Sequence, residues 1–210
     1  MTQNIRIYDH EFILHASGAV FWKGKATLLI SDVHLGKVSH FRKFGAAVPL
    51  KAIGANFELL DEVIAYFNPE KIIFLGDLFH AHLNTEWIYF EAWIAQIATE
   101  VILINGNHDV ISPLKYEALG IEIHDELILD KCLLTHHPEP RQGYFNFCGH
   151  IHPAVKIQGS GKQSLRLPCF FKTQDQMILP AFGKFTGSYT LKRKKEDEVY
   201  ALAEGMVIKI

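Results

Sequence analysis

The 210-residue sequence predicts an α/β protein built on two β-sheets, and three observations lead there. In the first half of the chain, short apolar runs alternate with segments whose apolar residues recur at helical spacing. Beyond residue 120 the helical spacing stops, and short strand-like runs follow one another between turn residues. Hydrophobic residues make up 49% of the chain and aromatic residues 12%, enough to fill a core between layers.

Runs 5–8, 11–15 and 19–23 read as short strands, with Gly18 and Gly24 as breakers. Residues 26–30 read as a buried strand that ends at Ser31-Asp32. Over 51–67, Ile53, Phe57, Leu60, Ile64 and Phe67 recur at helical spacing. Residues 72–75 form the next strand, closed by Gly76-Asp77. Asn84 or Thr85 can cap a second helix to about residue 98, with Trp87, Trp93, Ile94 and Ile97 facing inward. Strand 101–104 follows, then Asn105-Gly106-Asn107-His108. Such alternation implies βαβ units and a largely parallel sheet. The runs 121–123, 127–129, 132–135, 144–148, 154–157, 165–170, 177–182, 187–191, 199–202 and 206–210 predict a second, mainly antiparallel sheet packed on the first. The charged run 192–198 reads as a solvated hairpin turn. With no internal repeat or long linker, residues 1–210 are expected to form a single domain.

The formal net charge of -2 argues against strong, sequence-independent binding to nucleic acid through bulk charge, though a local basic patch is compatible with it. Asp9, His10 and Glu11 interrupt the N-terminal stretch, which therefore lacks a signal-peptide pattern, and no apolar run approaches the roughly 20 residues of a membrane span. Cys132, Cys148 and Cys169 are an odd set without paired spacing, and Cys148 and Cys169 lie in or beside apolar runs where buried free thiols are expected, which fits a reducing compartment. A cytoplasmic protein is the resulting expectation.

One arrangement repeats along the chain. An apolar run ends and metal-capable residues follow: Asp32 and His34; Asp77; Asn107, His108 and Asp109; His136 and His137; His150 and His152. Ligands of open α/β sheets bind outside the carboxyl ends of the strands, so these groups are expected to converge on one cleft. Asp32 and His34, like His150 and His152, are two apart, and in extended backbone each pair would point to one centre. Taken alone, each block has an ordinary reading as a turn or a hydrogen-bonded core residue. Together, burying so many imidazoles and carboxylates without a cation would leave costly uncompensated polar groups.

In this order, Asp32-Val33-His34, Gly76-Asp77, Gly106-Asn107-His108-Asp109, His136 and Gly149-His150-Ile151-His152 resemble the five blocks of the calcineurin-like metallophosphoesterase superfamily. Residues 31–37, 40–43, 76–80, 179–183 and 185–187 are further similar to its ligase-associated DNA damage response endonucleases of the PdeM type. The resemblance implies a four-layer α/β/β/α sandwich and a dinuclear metal centre. In it Asp77 would bridge two metals, Asp32, His34 and His152 would complete one site, and Asn107, His136 and His150 the other. His137 stays open as an alternative to His136. Imidazole and oxygen ligands without thiolate suit Mn²⁺, Fe or Zn²⁺, with Mn²⁺ the expected activating ion. His108 would be the general acid, oriented by Asp109. Arg42 and His80 are candidate substrate contacts, with His40, Lys43 and His82 nearby, and residues 137–144 are a candidate cleft rim.

The resulting expectation is a metal-dependent phosphodiesterase, and the resemblance implies DNA as its substrate in repair and association with a repair ligase or helicase. Two other readings are a small-molecule phosphohydrolase, acting on nucleotides or a sugar-lipid pyrophosphate, and a non-catalytic scaffold of the same fold. The scaffold would be expected to lose ligands or the acid histidine, and here every block is filled.

Overall fold

A computed structural model describes residues 2–45, 47, 52–80, 82–159, 163–184 and 186–210. The first sheet takes its seven strands in chain order: β1 (Thr2–Ile7), β2 (His10–His15), β3 (Val20–Trp22), β4 (Thr27–Ile30), β5 (Lys71–Leu75), β6 (Glu100–Ile104) and β7 (Glu122–His124). Pairing is antiparallel from β1 to β4 and parallel from β4 to β7. Helices α1 (Lys37–Lys43) and α2 (Gly54–Phe67) lie between β4 and β5, α3 (Glu86–Ile94) between β5 and β6, and α4 (Pro113–Glu117) between β6 and β7.

Strand periodicity explains why the central runs are apolar throughout. Leu28, Ile30, Ile72, Phe74, Val101 and Leu103 face one way, into a core with Leu60, Val63, Trp87, Phe90, Trp93 and Tyr116 of the helices. Their neighbours Leu29, Ile73, Leu75, Ile102 and Ile104 face the other way, into a core shared with Leu134, Phe147, Phe170, Met177 and Tyr200 of the second sheet. Both faces of these strands are covered, so no polar alternation survives.

The second sheet runs β14 (Tyr189–Thr190), β11 (Pro153–Gln158), β12 (Ser164–Lys172), β13 (Gln176–Ile178), β10 (Phe145–Cys148), β9 (Cys132–Thr135), β8 (Glu126–Leu129). Strand β15 (Glu198–Ala203) pairs with β12 and with β16 (Met206–Lys209). The α/β two-sheet architecture is as expected, with several corrections. The run at 121–123 belongs to β7 of the first sheet, because it continues the parallel β6 ladder. The second sheet is mainly antiparallel as expected, with parallel pairs where β10 meets β9 and β13 and where β11 meets β14. Among the described residues all four α-helices precede residue 118, so no α-helix forms the expected outer layer on the second sheet. That face is covered instead around Cys148, Cys169, Phe171, Ile178 and Val199, with Leu191 and Ile210 packed against them. The charged run 192–198 is a turn but not a hairpin, because β14 pairs with β11 while β15 pairs with β12 and β16. Helices α1 and α4 have no counterpart in the sequence reading; at seven and five residues they are too short for periodicity to reveal. The three cysteines are free and buried, and burial pushes the Cys132 and Cys169 thiols up to about 12. No helix among the described residues is long and apolar enough to cross a membrane.

Candidate metal centre

The carboxyl ends of β4, β5, β6, β9 and β10 open on one edge of the two-sheet core, and the turn after each carries one metal-capable block. Asp32 follows β4, Asp77 follows β5, Asn107 follows β6, His136 directly follows β9, and His150 follows β10. Two clusters result, each with its ligand atoms within 4.8 Å of one another: Asp32, His34 and His152; and His136, His137 and His150. A third group of Asp32, Asp77 and His136 spans the two. Asp77 turns Oδ2 toward His34 Nε2 at 3.8 Å and Oδ1 toward His136 Nε2 at 3.4 Å, so its two oxygens address different clusters. Asn107 Oδ1 lies 3.0 Å from His136 Nε2.

The backbone at these positions is unusual. Asp32, His34, Asp77, His150 and His152 all have φ between 51° and 66°, in the left-handed region. Such residues cost on the order of 1 kcal/mol or more each and are held only where surrounding contacts dictate them. The expectation that extended backbone aims each i, i+2 pair is therefore corrected. Asp32 and His34 do meet in one cluster, but they lie beyond the end of β4 with φ in the left-handed region. His150 and His152 part company, His150 toward His136 and His152 toward Asp32.

Backbone carbonyls set the tautomers. A carbonyl only accepts, so His136 Nδ1, 2.9 Å from the Leu75 oxygen, must carry the proton and leave the Nε2 lone pair facing Asp77 and Asn107. His152 Nδ1 likewise donates to the Gly187 carbonyl at 3.1 Å. Its Nε2 lies 3.0 Å from Asp32 Oδ1 and 3.3 Å from His34 Nε2. Burial pushes His34 down to about 3 against the opposing pull of Asp32, so that ring is neutral at pH 7. Burial would raise Asp32, yet the hydrogen bonds from His152 and Ser31 hold it below the usual carboxylate range. Carboxylate oxygens and imidazole nitrogens converging in this way form the donor set of divalent transition metals, which would displace the proton His152 shares with Asp32, and the residues present fit such ions.

The turns are held by groups outside the ligand set. Asp109 accepts N–H bonds from Asp77 at 2.7 Å, Phe79 at 3.0 Å and Gly106 at 3.0 Å. Both its oxygens are thereby engaged by backbone, and it clamps the β5 turn to the β6 turn instead of orienting the His108 ring, a correction to the expected role. Burial, reinforced by neighbouring Asp77, pushes Asp109 up to about 6 despite those bonds. The His108 N–H donates to Asp77 Oδ1 at 2.9 Å, and its ring stacks on His80 at 4.9 Å between centroids. His80 also packs edge-on to His34 at 5.4 Å, and burial lowers it to about 4. His137 is exposed beside the ring of His150, whereas His136 is buried. Arg42 is exposed near the end of α1, outside the buried cluster.

Sequence reasoning left several supporting residues without a role. Phe182 and Gly183 donate backbone N–H groups to Ser31 and Asp32, and buried Asn56 bridges the Val33 carbonyl to the Lys184 N–H. Segment 179–183 thus braces the Asp32 turn from the far end of the chain; Phe185, quoted with it, lies outside the described residues. Lys37 is half-buried, and burial lowers its amine below the ordinary lysine value against the opposing pull of Asp77 and Asp32. Lys37 and residues 179–183 fall within the motifs that carry the family resemblance, while nothing in the sequence marked Asn56.

Two packed sheets with metal-capable turns at their carboxyl edge define a metal-dependent phosphoesterase. The chain belongs to the calcineurin-like phosphoesterase family, whose profile matches residues 26–163. Proteins of this family work with divalent metals. Among solved structures, a crystal structure of the nuclease MPE of Pseudomonas putida is similar at 30% identity and a TM-score of 0.85, with 100% of each chain covered. The phosphoesterase Yfce of E. coli is 18% identical over 88% of this chain and 97% of its own, with a TM-score of 0.46. No curated protein matches.

Proposed function

We propose that the chain is a dinuclear metal phosphodiesterase that cleaves nucleic acid, namely DNA in repair. The observation that carries the reading is Asp77, whose two oxygens face two separate groups of imidazole and oxygen donors. In this reading Asp32, His34 and His152 hold one cation, Asn107, His136 and His150 the other, and Asp77 both. When bound, two such ions would polarise the phosphoryl oxygens and render water nucleophilic at neutral pH, and Mn²⁺ is the ion we favour. The nuclease title of the similar P. putida structure supports the choice of a nucleic-acid diester over a small phosphate ester.

His108 protonates the leaving oxygen in this scheme. Its backbone is pinned to Asp77 and its ring stacks on His80, which leaves the imidazole placed but not itself a ligand. His80 keeps that ring in position, and Arg42 meets the substrate farther out along α1. A cytoplasmic setting, inferred from the N-terminal pattern and the unpaired cysteines, and contact with a repair ligase or helicase, inferred from the family resemblance, belong to the same proposal. The test is a panel of single- and double-stranded DNA, cyclic nucleotides and p-nitrophenyl esters, offered to the protein loaded with Mn²⁺, Fe or Zn²⁺. Cleavage of DNA that is abolished by chelation and by Asp77→Ala is expected. Turnover of small esters with no cleavage of any nucleic acid would make the chain a small-molecule phosphohydrolase.

A further inference from the structure

The turn after β9 carries two adjacent histidines, of which only His136 belongs to the ligand set proposed for the second cation. His136 is buried, whereas His137 is exposed, and its ring lies 4.1 Å from that of His150 between centroids. The ligand-capable atoms of His136, His137 and His150 all lie within 4.8 Å of one another. His136 and His150 therefore belong to two donor sets, one reaching Asn107 and Asp77 and the other reaching His137. The set with His137 comes wholly from the ends of β9 and β10, neighbouring parallel strands, and takes nothing from the first sheet. Its frame is fixed by hydrogen bonds. Thr135 Oγ1 donates to the His137 carbonyl at 2.7 Å, and the Glu139 N–H donates to Asn146 Oδ1 at 2.9 Å. An exposed ring on so tethered a backbone still changes rotamer freely.

We infer that His137 exchanges with Asn107 as a ligand of the second cation, giving a three-imidazole mode that selects Zn²⁺ beside the mixed mode that suits Mn²⁺. The inference rests on the dinuclear reading and deepens it by naming the residue that decides between metals. The donors set the direction. A carbonyl oxygen such as that of Asn107 suits Mn²⁺, whereas imidazole suits Zn²⁺, which also binds the more tightly of the two at a given site. Three histidines with a fourth position open are an established donor set for Zn²⁺. His136 serves both modes with one atom, because its Nδ1 donates to the Leu75 carbonyl at 2.9 Å and leaves Nε2 for the cation. Neither mode asks the buried part of the centre to move, since the exchange is confined to an exposed ring and to an amide at the edge of the set.

The test reads metal affinity directly. Zn²⁺ is titrated onto the metal-stripped protein in competition with a chromophoric chelator, and Mn²⁺ by loss of the free ion's electron paramagnetic resonance signal. Co²⁺ stands in for Zn²⁺ as a reporter, because four-coordinate Co²⁺ absorbs far more strongly in the visible than six-coordinate Co²⁺. His137→Ala should weaken Zn²⁺ binding by more than about tenfold, since even supporting groups outside a ligand set contribute about 10- to 100-fold. It should leave Mn²⁺ affinity nearly unchanged and dim the Co²⁺ bands. Asn107→Ala should do the reverse, weakening Mn²⁺ more than Zn²⁺. Equal losses of both metals in His137→Ala, or no loss of Zn²⁺, would overturn the exchange, while Mn²⁺ uptake that depends on Asp77 would keep the dinuclear reading. If the unaltered protein takes up neither metal, both fall.

Discussion

Gly149 sits so close to the Asp32 turn that a β-carbon there would lie 1.6 Å from Ser31 Oγ and 2.4 Å from Asp32 Oδ2. The N–H of the next residue, His150, donates to Asp32 Oδ2 at 3.0 Å, so the turn cannot retreat without losing that bond. Gly149→Ala should therefore empty the candidate centre, cutting metal content severalfold by elemental analysis and costing on the order of 1–3 kcal/mol in urea unfolding. Gly159→Ala is the control, because nothing lies within 4 Å of its β-carbon, and it should be near neutral. A second residue-level expectation concerns His108. Its ring is outside the ligand set, so His108→Asn should keep the metal while lowering kcat by about 10²–10⁴ for an alkoxide leaving group, the range of positioned general acids. The loss should be much smaller for p-nitrophenol, which leaves without needing a proton. Equal losses on both substrates would reassign His108 to phosphate binding.

Among the elements, α1 depends on a residue far from it in sequence. Glu86, at the start of α3 and buried, accepts the Gly36 N–H and the Ser39 N–H, each at 2.7 Å. Two orphan donors of the first turn are thereby satisfied by a carboxylate, which also suits the positive end of a helix. Asn84 completes the joint by donating to the Gly36 carbonyl at 3.1 Å. Glu86→Ala should release α1, speeding amide exchange across residues 36–43 while β4 and β5 stay protected. The cost should be about 1–3 kcal/mol, from donors left unpaired. Unchanged exchange over α1 would show that its side-chain contacts alone hold it. The same logic governs the loop after β9, where buried Asn146 donates to Thr135 Oγ1 and the Leu133 carbonyl while accepting from the Glu139 N–H.

For the molecule as a whole, the second sheet is closed by β15 and β16, and one carboxylate links three of its strands. Glu198 of β15 meets Lys172 of β12, Lys209 of β16 and Tyr200. The hydrogen bonds from Lys172 and Lys209 hold it down to about 2, against an ordinary value of 4.5. A depressed acid stabilises the fold above its unfolded-state value and loses that contribution as pH falls through the folded one. Glu198→Gln should therefore be less stable than the parent near pH 6, with the gap closing between about pH 4.5 and 2. The gap should be modest, about 0.5 kcal/mol, because the lysines are partly solvated and water screens the pairs. A gap that widened on acidification would contradict this assignment of the shift.

How much of this was legible in the sequence depends on the range of the forces involved. Strand and helix positions in the first sheet follow from apolar periodicity, a local property, and so does the order of the ligand blocks. Asp32, His34, Asp77, Asn107, His136, His150 and His152 could be singled out because each follows a hydrophobic run that must end at a sheet edge. Periodicity says nothing about which strand pairs with which, so the run at 121–123 and the parallel pairs of the second sheet emerge only with the ladders. It is equally silent on conformation beyond a strand end, where long-range contacts hold five candidate ligands at left-handed φ and send His150 and His152 to different clusters. Asp109 shows the division in one residue. Its place beside His108 in sequence suggested a partner for that ring, but folding brings three backbone N–H groups to its carboxylate, and hydrogen bonds go to the nearest satisfied geometry rather than to the nearest residue number.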